Sequence, residues 1–416
     1  MQKIDSIRLK PLLAPSQVEA IQTFAKDTLV PFENASRDSQ EFDPEIVEGL
    51  FRLGVLQMGV PKKLGGPATP VADLVWVIRE IAVGSPSVAA TVIGHLLGCS
   101  AITLYGQPSV VERVSRECLS RTLLFSFGMT EADVGSDVHH TKTQARRVDG
   151  GYILNGEKNF ITNAGFSSHL AIFAQVVDEQ GMPQGVSCFY VPGDSQGLVR
   201  GPQVMKIGWK RANTGTLYFH EMFVPSEHLL GEEGQGVKIL MHCLGRSKTM
   251  LAAMGVGISQ RAYELSTERL VTTERFGKSL LEQPAIRHLI ARLAIKMEAA
   301  WLLTCKAAAT WDAGLSATEE CSMAKHMAGT TAVEMASQAA ELFGARGLTL
   351  DYEISRLMSD AKAVEIVEGP SLVQELLISK EIFKSKGKAN ASRPSTVNNA
   401  NVVPVQPRTK QGGKAA

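Results

Sequence analysis

Tyr152-Ile-Leu-Asn-Gly-Glu-Lys-Asn-Phe-Ile161 is a strand-like run in a chain whose flanks carry helical periodicity. Asn155-Gly156 sits between two short runs, the strongest short hairpin signal, so a hairpin turn is expected at that dipeptide. Working outward, more apolar or alternating runs follow: Leu170-Ala-Ile-Phe-Ala-Gln-Val-Val177, Val186-Ser-Cys-Phe-Tyr-Val191 and Thr216-Leu-Tyr-Phe219. Turn residues such as Pro192-Gly193-Asp194 separate them. Residues 123–236 therefore read as a small antiparallel β domain.

The preceding residues, 1–122, read as a helical domain. In Glu45-Ile-Val-Glu-Gly-Leu-Phe-Arg-Leu53 the residues Ile46, Leu50 and Leu53 fall on one helical face. After the β domain, helix returns, with Pro284 the only proline between Val237 and Phe343. Ile286, Leu289, Ile290, Leu293, Met297 and Trp301 form an apolar stripe at helical spacing, which reads as bundle core. The expected class is thus α+β: N-terminal helices, a central β domain, and a C-terminal four-helix bundle over 237–383. This order argues against a Rossmann enzyme, which alternates strand and helix throughout.

Composition narrows the function. Hydrophobic residues at 44% and charged residues at 20% are the balance of a globular protein with a sizeable core. There is no run of about 18 apolar residues, so no membrane span is expected. The N-terminal residues lack a signal peptide's apolar stretch, which places the protein in the cytoplasm by default. Six scattered cysteines without C-x-x-C and nine histidines without H-E-x-x-H point to buried thiols and to no metal site. Seven basic and no acidic residues lie in 384–416, which leaves a body of net charge −6 within a chain of +1. Such a body does not look like a nucleic-acid binder, and the tail, rich in Asn, Pro, Ser, Gly and Lys, is expected to be disordered.

Three stretches suit chemistry. Phe127-Gly-Met-Thr-Glu-Ala-Asp-Val-Gly-Ser-Asp137 combines small residues and hydroxyls suited to a flat ligand with phosphates, or simply forms a polar loop. Phe160-Ile-Thr-Asn-Ala-Gly165 sets an aromatic beside a hydroxyl, as a ring-binding site or a strand end would. In Glu365-Ile-Val-Glu-Gly-Pro-Ser371, Gly369 suits a helix C′ position and Pro370 the first turn of the next helix. Glu368 is expected at that break, free to point into a cavity or merely solvated.

Together these stretches resemble the acyl-CoA dehydrogenase family over roughly residues 10–383. Val60-Pro-Lys-Lys-Leu-Gly-Gly66 looks like its V-P-x-x-x-G-G loop, and Met129-Thr-Glu-Ala-Asp-Val-Gly-Ser-Asp137 its T-E-P-x-x-G-S-D signature, with Ala132 in place of proline. Gly156-Glu-Lys-Asn-Phe-Ile-Thr-Asn163 is similar to G-x-K-x-[WY]-I-T-N. Leu230 to Gly236, Phe276-Gly-Lys278 and the closing run Arg356 to Gly369 are further landmarks.

The resemblance implies FAD between the β domain and the bundle. Phe127, Met129, Thr130 and Ser136 would line the flavin, ribityl and pyrophosphate region, with Phe160 and Thr162 on the ring. Arg275, Phe276, Gln283, Glu341, Gly344 and Ala345 would belong to a neighbouring subunit's FAD site, and a homotetramer is implied. Ser136, Lys248 and Gly369 would face an acyl thioester on CoA or a carrier protein, and an electron-acceptor flavoprotein or other acceptor would follow. Glu368 would take the substrate α-proton while the flavin takes the β-hydride. Some members carry the base on the helix matching Leu244–Lys248, but no carboxylate occurs here between Glu233 and Glu264.

The chain also departs from the pattern. Thr273 stands where the family has arginine, Q-x-x-G-G becomes Glu341-Leu-Phe-Gly-Ala345, and E-G-T-x-Q becomes Glu368-Gly-Pro-Ser-Leu372. The D-x-x-R helix reads Gly245-Arg-Ser-Lys248. A specialised member is expected, with a thioester on a carrier protein standing beside acyl-CoA as its substrate. A flavin monooxygenase or oxidase on the same scaffold is the alternative.

Overall fold

The computed structural model describes residues 10–35, 39–67, 69–135, 137–275 and 277–391, with side chains up to residue 384. Helix α1 (Pro15–Thr23) passes through a π-helical turn, Phe24–Leu29, into α2 (Val30–Ala35). Asp43 caps α3 (Pro44–Arg52) by accepting a bond from Glu45 N, and Ile46 and Leu50 are buried on the face their spacing predicts. Then come α4 (Val71–Gly84), α5 (Pro86–Tyr105) and α6 (Pro108–Ser120). By length and composition α5 would cross a bilayer, yet most of it is buried inside the protein as a core helix.

Strands β1 (Leu124–Gly128), β2 (Gln144–Val148), β3 (Gly151–Thr162), β4 (Ser167–Val177), β5 (Pro183–Pro192), β6 (Leu198–Gln203), β7 (Thr214–Pro225) and β8 (Leu229–Leu230) follow. They form one sheet in the order β6-β7-β3-β2-β4-β5-β8, with β1 beside β4. The sheet is mixed rather than antiparallel throughout: β1 and β2 both pair with β4 in parallel. β1 lies against Ser167–Ile172 and β2 against Gln175–Val177, end to end along β4. The chain between them, 129–143, is forced out of the sheet as a loop.

The hairpin expected at Asn155-Gly156 is not there. β3 runs straight through that dipeptide, and the β2–β3 turn is made by Asp149-Gly150, with Gly150 at φ 74°. Gly156 instead sits at a bulge against β7, at φ 137°, where a Cβ would lie 2.7 Å from Thr143 Cα. Asn155 binds across to Glu221 on β7, accepting from its N–H at 2.8 Å. A residue pair with tolerance for unusual φ serves a bulge as well as a turn.

Helix α7 (Gly236–Thr272) leads through the short hairpin β9 (Glu274–Arg275) and β10 (Lys278–Ser279) to α8 (Pro284–Asp312). Helices α9 (Thr318–Phe343), α10 (Glu353–Ile366) and α11 (Ser371–Ala391) complete the bundle. α11 thus continues past residue 383, into the stretch read from sequence as disordered; the rest of that tail lies outside the described residues. On α8, Leu293 and Trp301 are core, whereas Ile286 and Ile290 are only half-buried.

The sequence segments do not make separate cores. One cluster joins Ile21, Leu50, Trp76 and Ile93 from the early helices to Met254, Ala328, Leu357 and Val364 from the bundle. The sheet buries Phe125, Ala171, Phe173 and Tyr190 on one face, and Leu170, Ile172, Ala174 and Leu217 on the other, the period-2 division of a strand.

A buried charge network ties the three parts together. Arg356 on α10 donates to Asp360 (2.8 Å) and Glu353 (3.4 Å) and lies 3.8 Å from Glu33 of α2. Glu353 also accepts from Arg261 of α7 at 2.9 and 2.7 Å. Asp360 accepts from Trp209 N in the β6–β7 loop at 2.7 Å, and its carbonyl from Trp209 Nε1 at 3.1 Å. Replacing Arg356 with methionine leaves these carboxylates buried without their central cation. A loss of about 3–5 kcal/mol is expected, to be measured by denaturant unfolding.

Candidate active site

The loop expelled from the sheet carries the first chemical stretch, and a buried ion pair fastens it. Lys158 of β3 points inward and donates to Glu131 Oε1 (2.7 Å), Met129 O (3.1 Å) and Thr141 Oγ1 (2.9 Å). Glu131 also accepts from Lys142 N, Thr143 N and Thr143 Oγ1 at 2.6, 2.9 and 2.7 Å. Burial pushes the Glu131 carboxyl up, but the Lys158 ammonium and the hydroxyl donors outweigh it and hold the group at about 2. Burial likewise draws Lys158 down to about 8.

Around this pair lie the residues named from sequence. Phe127 packs on Phe173, Met129 is buried, and the Thr130 carbonyl accepts from Asn159 N at 2.8 Å. Ser136 lies outside the described residues. Phe160 stands at φ 60° where β3 slips register, which turns its ring outward, 61% exposed. Thr162 packs under α5, where a Cβ on Gly94 would lie 2.9 Å from its Cγ2. Beside it, Asn163 Oδ1 is buried without a donor. The outward-turned aromatic face of Phe160 is suited to packing against a flat ring.

The second half of the site is the break between α10 and α11. Val367 ends α10 in extended geometry, and Glu368 and Gly369 both take left-handed conformations, φ 56° and 99°. Position 369 favours glycine, since φ 99° is a conformation that other residues rarely adopt. Pro370 then opens α11 as the residue whose carbonyl accepts Gln374 N. For Glu368 the left-handed turn is a strained conformation, held by its surroundings. Gln374 Nε2 donates to Glu368 O (3.1 Å) and Gly369 O (2.8 Å), and Ser247 Oγ of α7 donates to Glu368 Oε1 at 2.5 Å.

Glu368 Oε2 is buried and has no partner among the described residues. Burial raises this carboxyl to about 7, against the pull of Ser247, Lys248 and Lys325. Lys248 is buried one residue along α7 from Ser247, and its ammonium bonds to no described residue. Gly369 offers its carbonyl to Lys325 Nζ at 2.6 Å.

The remaining residues named from sequence gather at the far end of the bundle. Arg269 lies over the Phe343 ring, 5.2 Å to its centre, which brings the ends of α7 and α9 together. Arg275 is exposed on β9, Gln283 occupies the N-cap position of α8, Glu341 is exposed in the last turn of α9, and Gly344 and Ala345 are exposed just beyond it, with Gly344 at φ 63°. Phe276 lies outside the described residues. No hydrogen bond or ring contact among the described residues joins this group to Phe160 or Glu368.

Sequence reasoning missed four residues of this site. Glu131 and Lys158 stood inside the quoted motifs, and a lysine on the inward face of a strand was the available signal. Ser247 stood inside the quoted Gly245–Lys248 segment, while Lys325 had no signal, being a lysine in an alanine-rich helix.

Comparison with known proteins agrees with this architecture. The family models described as acyl-CoA dehydrogenase N-terminal, middle and C-terminal domains match residues 16–122, 126–222 and 234–383. The chain is 32% identical over 364 residues to an acyl-CoA dehydrogenase of Bacillus subtilis, covering 87% of this chain and 96% of that one. It is 31% identical to a cyclohexane-1-carbonyl-CoA dehydrogenase of Geobacter metallireducens, covering 88% and 96%. Butyryl-CoA dehydrogenase from Megasphaera elsdenii superposes with a TM-score of 0.85 at 29% identity, over 90% of this chain and 100% of that one. Fold, site and relatives together define the class, a flavoprotein oxidoreductase acting on CH–CH groups. The chain belongs to the acyl-CoA dehydrogenase family.

Glu131→Gln tests the ion pair. It strands the Lys158 ammonium, and a loss of about 3–5 kcal/mol is expected at neutral pH. Because the folded-state value is depressed, the ionised carboxylate contributes fully above about 4.5 and loses its contribution as pH falls toward about 2. The stability gap between wild type and variant, from unfolding curves at several pH values, should therefore narrow below pH about 4.5.

Proposed function

We propose that this enzyme catalyses FAD-dependent α,β-dehydrogenation of an acyl thioester to the 2-enoyl thioester, with Glu368 as the base. One observation supports the assignment above the others: a carboxyl at a helix break, raised to about 7, with one oxygen unpartnered. A general base works best when its pKa lies near the working pH. A carboxylate raised by burial is such a base at neutral pH. Ser247 orients one oxygen and leaves the other for the substrate α-proton.

The Glu368 N–H donates to no protein atom among the described residues, which leaves it for the thioester carbonyl. A donor aimed at the enolate oxygen stabilises charge as it develops. Lys248 and Gly369 border the same break, and we assign Lys248, together with Ser136, to the substrate's polar portion. FAD, when bound, supplies the acceptor for the β-hydride. Phe127, Met129, Thr130, Ser136, Phe160 and Thr162 would hold it from one chain. Arg275, Phe276, Gln283, Glu341, Gly344 and Ala345 would hold it from a second chain of a homotetramer, and their separation from Phe160 supports that division. An electron-transferring flavoprotein is the acceptor we favour. The drift at Gly245-Arg-Ser-Lys248 favours a carrier-protein thioester over free CoA. Free, buried cysteines suit the reducing cytoplasm.

Glu368→Gln should keep FAD and substrate binding while flavin reduction slows by about 10²–10⁴-fold. Retention of more than about a tenth of the rate would exclude Glu368 as the base. In the wild type the rate should rise as pH passes about 7, because only the ionised carboxylate accepts the proton. Anaerobic stopped-flow bleaching by paired CoA and carrier-protein thioesters reads all three quantities.

A further inference from the structure

Lys325 lies in the middle of α9 with 1% of its surface exposed. Its ammonium donates to two main-chain carbonyls, Glu365 O at 2.8 Å and Gly369 O at 2.6 Å. Those acceptors flank Glu368 on either side, the first in the last turn of α10 and the second on Gly369, the other member of the left-handed pair. No carboxylate is within ion-pair distance of Lys325 among the described residues. A buried cation without a contacting anion is costly, and the buried face of α9 around it is mostly small residues, among them Cys321, Ser322, Ala324, Ala328 and Gly329. The negative end of the α10 dipole offsets part of that cost. An apolar side chain would fill the space without any such cost.

We infer that Lys325 is the positioning residue for Glu368, its ammonium strapping the carbonyls on both sides of the base and setting a fixed positive charge beside it. The inference rests on the reading of Glu368 as the base. The strap holds the strained turn that directs the carboxyl. The charge favours the ionised form against the desolvation that opposes it.

The groups around Glu368 come from four helices. α7 supplies Ser247 and Lys248, α9 Lys325, α10 Glu365, and α11 Gln374. Glu365 is bonded to Lys362 (2.5 Å) and Ser371 (3.1 Å), and His326 of α9 lies 3.8 Å from Glu375 of α11. Of these, Lys248 and Lys325 are the cations acting on Glu368, and only Lys325 touches the turn itself. Burial brings Lys325 down to about 8, against the pull of Glu368 and Glu365, so near neutral pH it is charged while Glu368 ionises.

Lys325→Met keeps the length of the side chain and removes its charge and donors. Single-turnover flavin reduction should slow, and its acid limb should move up by about one pH unit, the effect of losing a nearby opposite charge. In a Glu368→Gln background the same substitution should cause no further slowing, since a residue acting through Glu368 has nothing left to act on. Lys325→Arg, which keeps the charge, should leave the acid limb where it is. If Lys325→Met does not fold, Lys325→Gln carries the same expectations. An unmoved acid limb in the neutral variants, or an equal slowing in the Glu368→Gln background, would mean that Lys325 only caps α10, and the inference falls. If Glu368→Gln alone reduces flavin at a near wild-type rate, the base assignment itself is wrong.

Discussion

Everything in this molecule is referred to one buried guanidinium. Arg356 draws in Asp360, Glu353 and Glu33, and through them Arg261, Trp209 and the early helices. Five charged side chains with little access to water tolerate only a narrow set of mutual positions, because each displaced partner leaves a charge uncompensated. α10 is therefore placed against α2, α7 and the sheet by electrostatics as much as by packing. Its other end, a few turns on, carries Glu368. The position of the carboxyl is inherited from a network it does not touch.

The candidate site departs from regular structure in three places. The sheet opens along β4 to release the 129–143 loop, and a bulge turns Phe160 out of the core. A helix pair breaks to put Glu368 in a conformation that non-glycine residues seldom adopt. Two of these departures are held by a buried lysine: Lys158 reaches into the loop, and Lys325 spans the break. Both lysines hold main-chain carbonyls as well as sitting near a carboxylate. A lysine can do this because its ammonium has three donors at the end of a long apolar stem.

Much of this was legible in the sequence, for identifiable reasons. The change from helical to strand periodicity located the sheet, and Gly369-Pro370 located the break, because both depend on local geometry. The polarity of strand pairing was not legible, since nothing local tells β1 and β2 that they share β4. Asn155-Gly156 misled because the same tolerance for unusual φ serves a turn and a bulge. The partners of Glu368 were hidden for the same reason: Ser247 and Lys325 lie 121 and 43 residues away along the chain, and neither helix marks them. Helical periodicity also could not show that the early helices and the bundle share one core.

That shared core has a consequence for how the protein is made. Ile21 and Val364 belong to the same cluster, so the apolar faces of the first helices have no complete partner until the end of the chain is present. At roughly 5–20 residues per second, translation leaves them waiting for tens of seconds. During that interval the nascent chain presents greasy surface to whatever holdase stands at the ribosome exit. The residues that finally cover it, Ile354, Leu357, Ala361 and Val364, lie just ahead of Glu368, so the early helices and the helix break are completed by the same late stretch of chain.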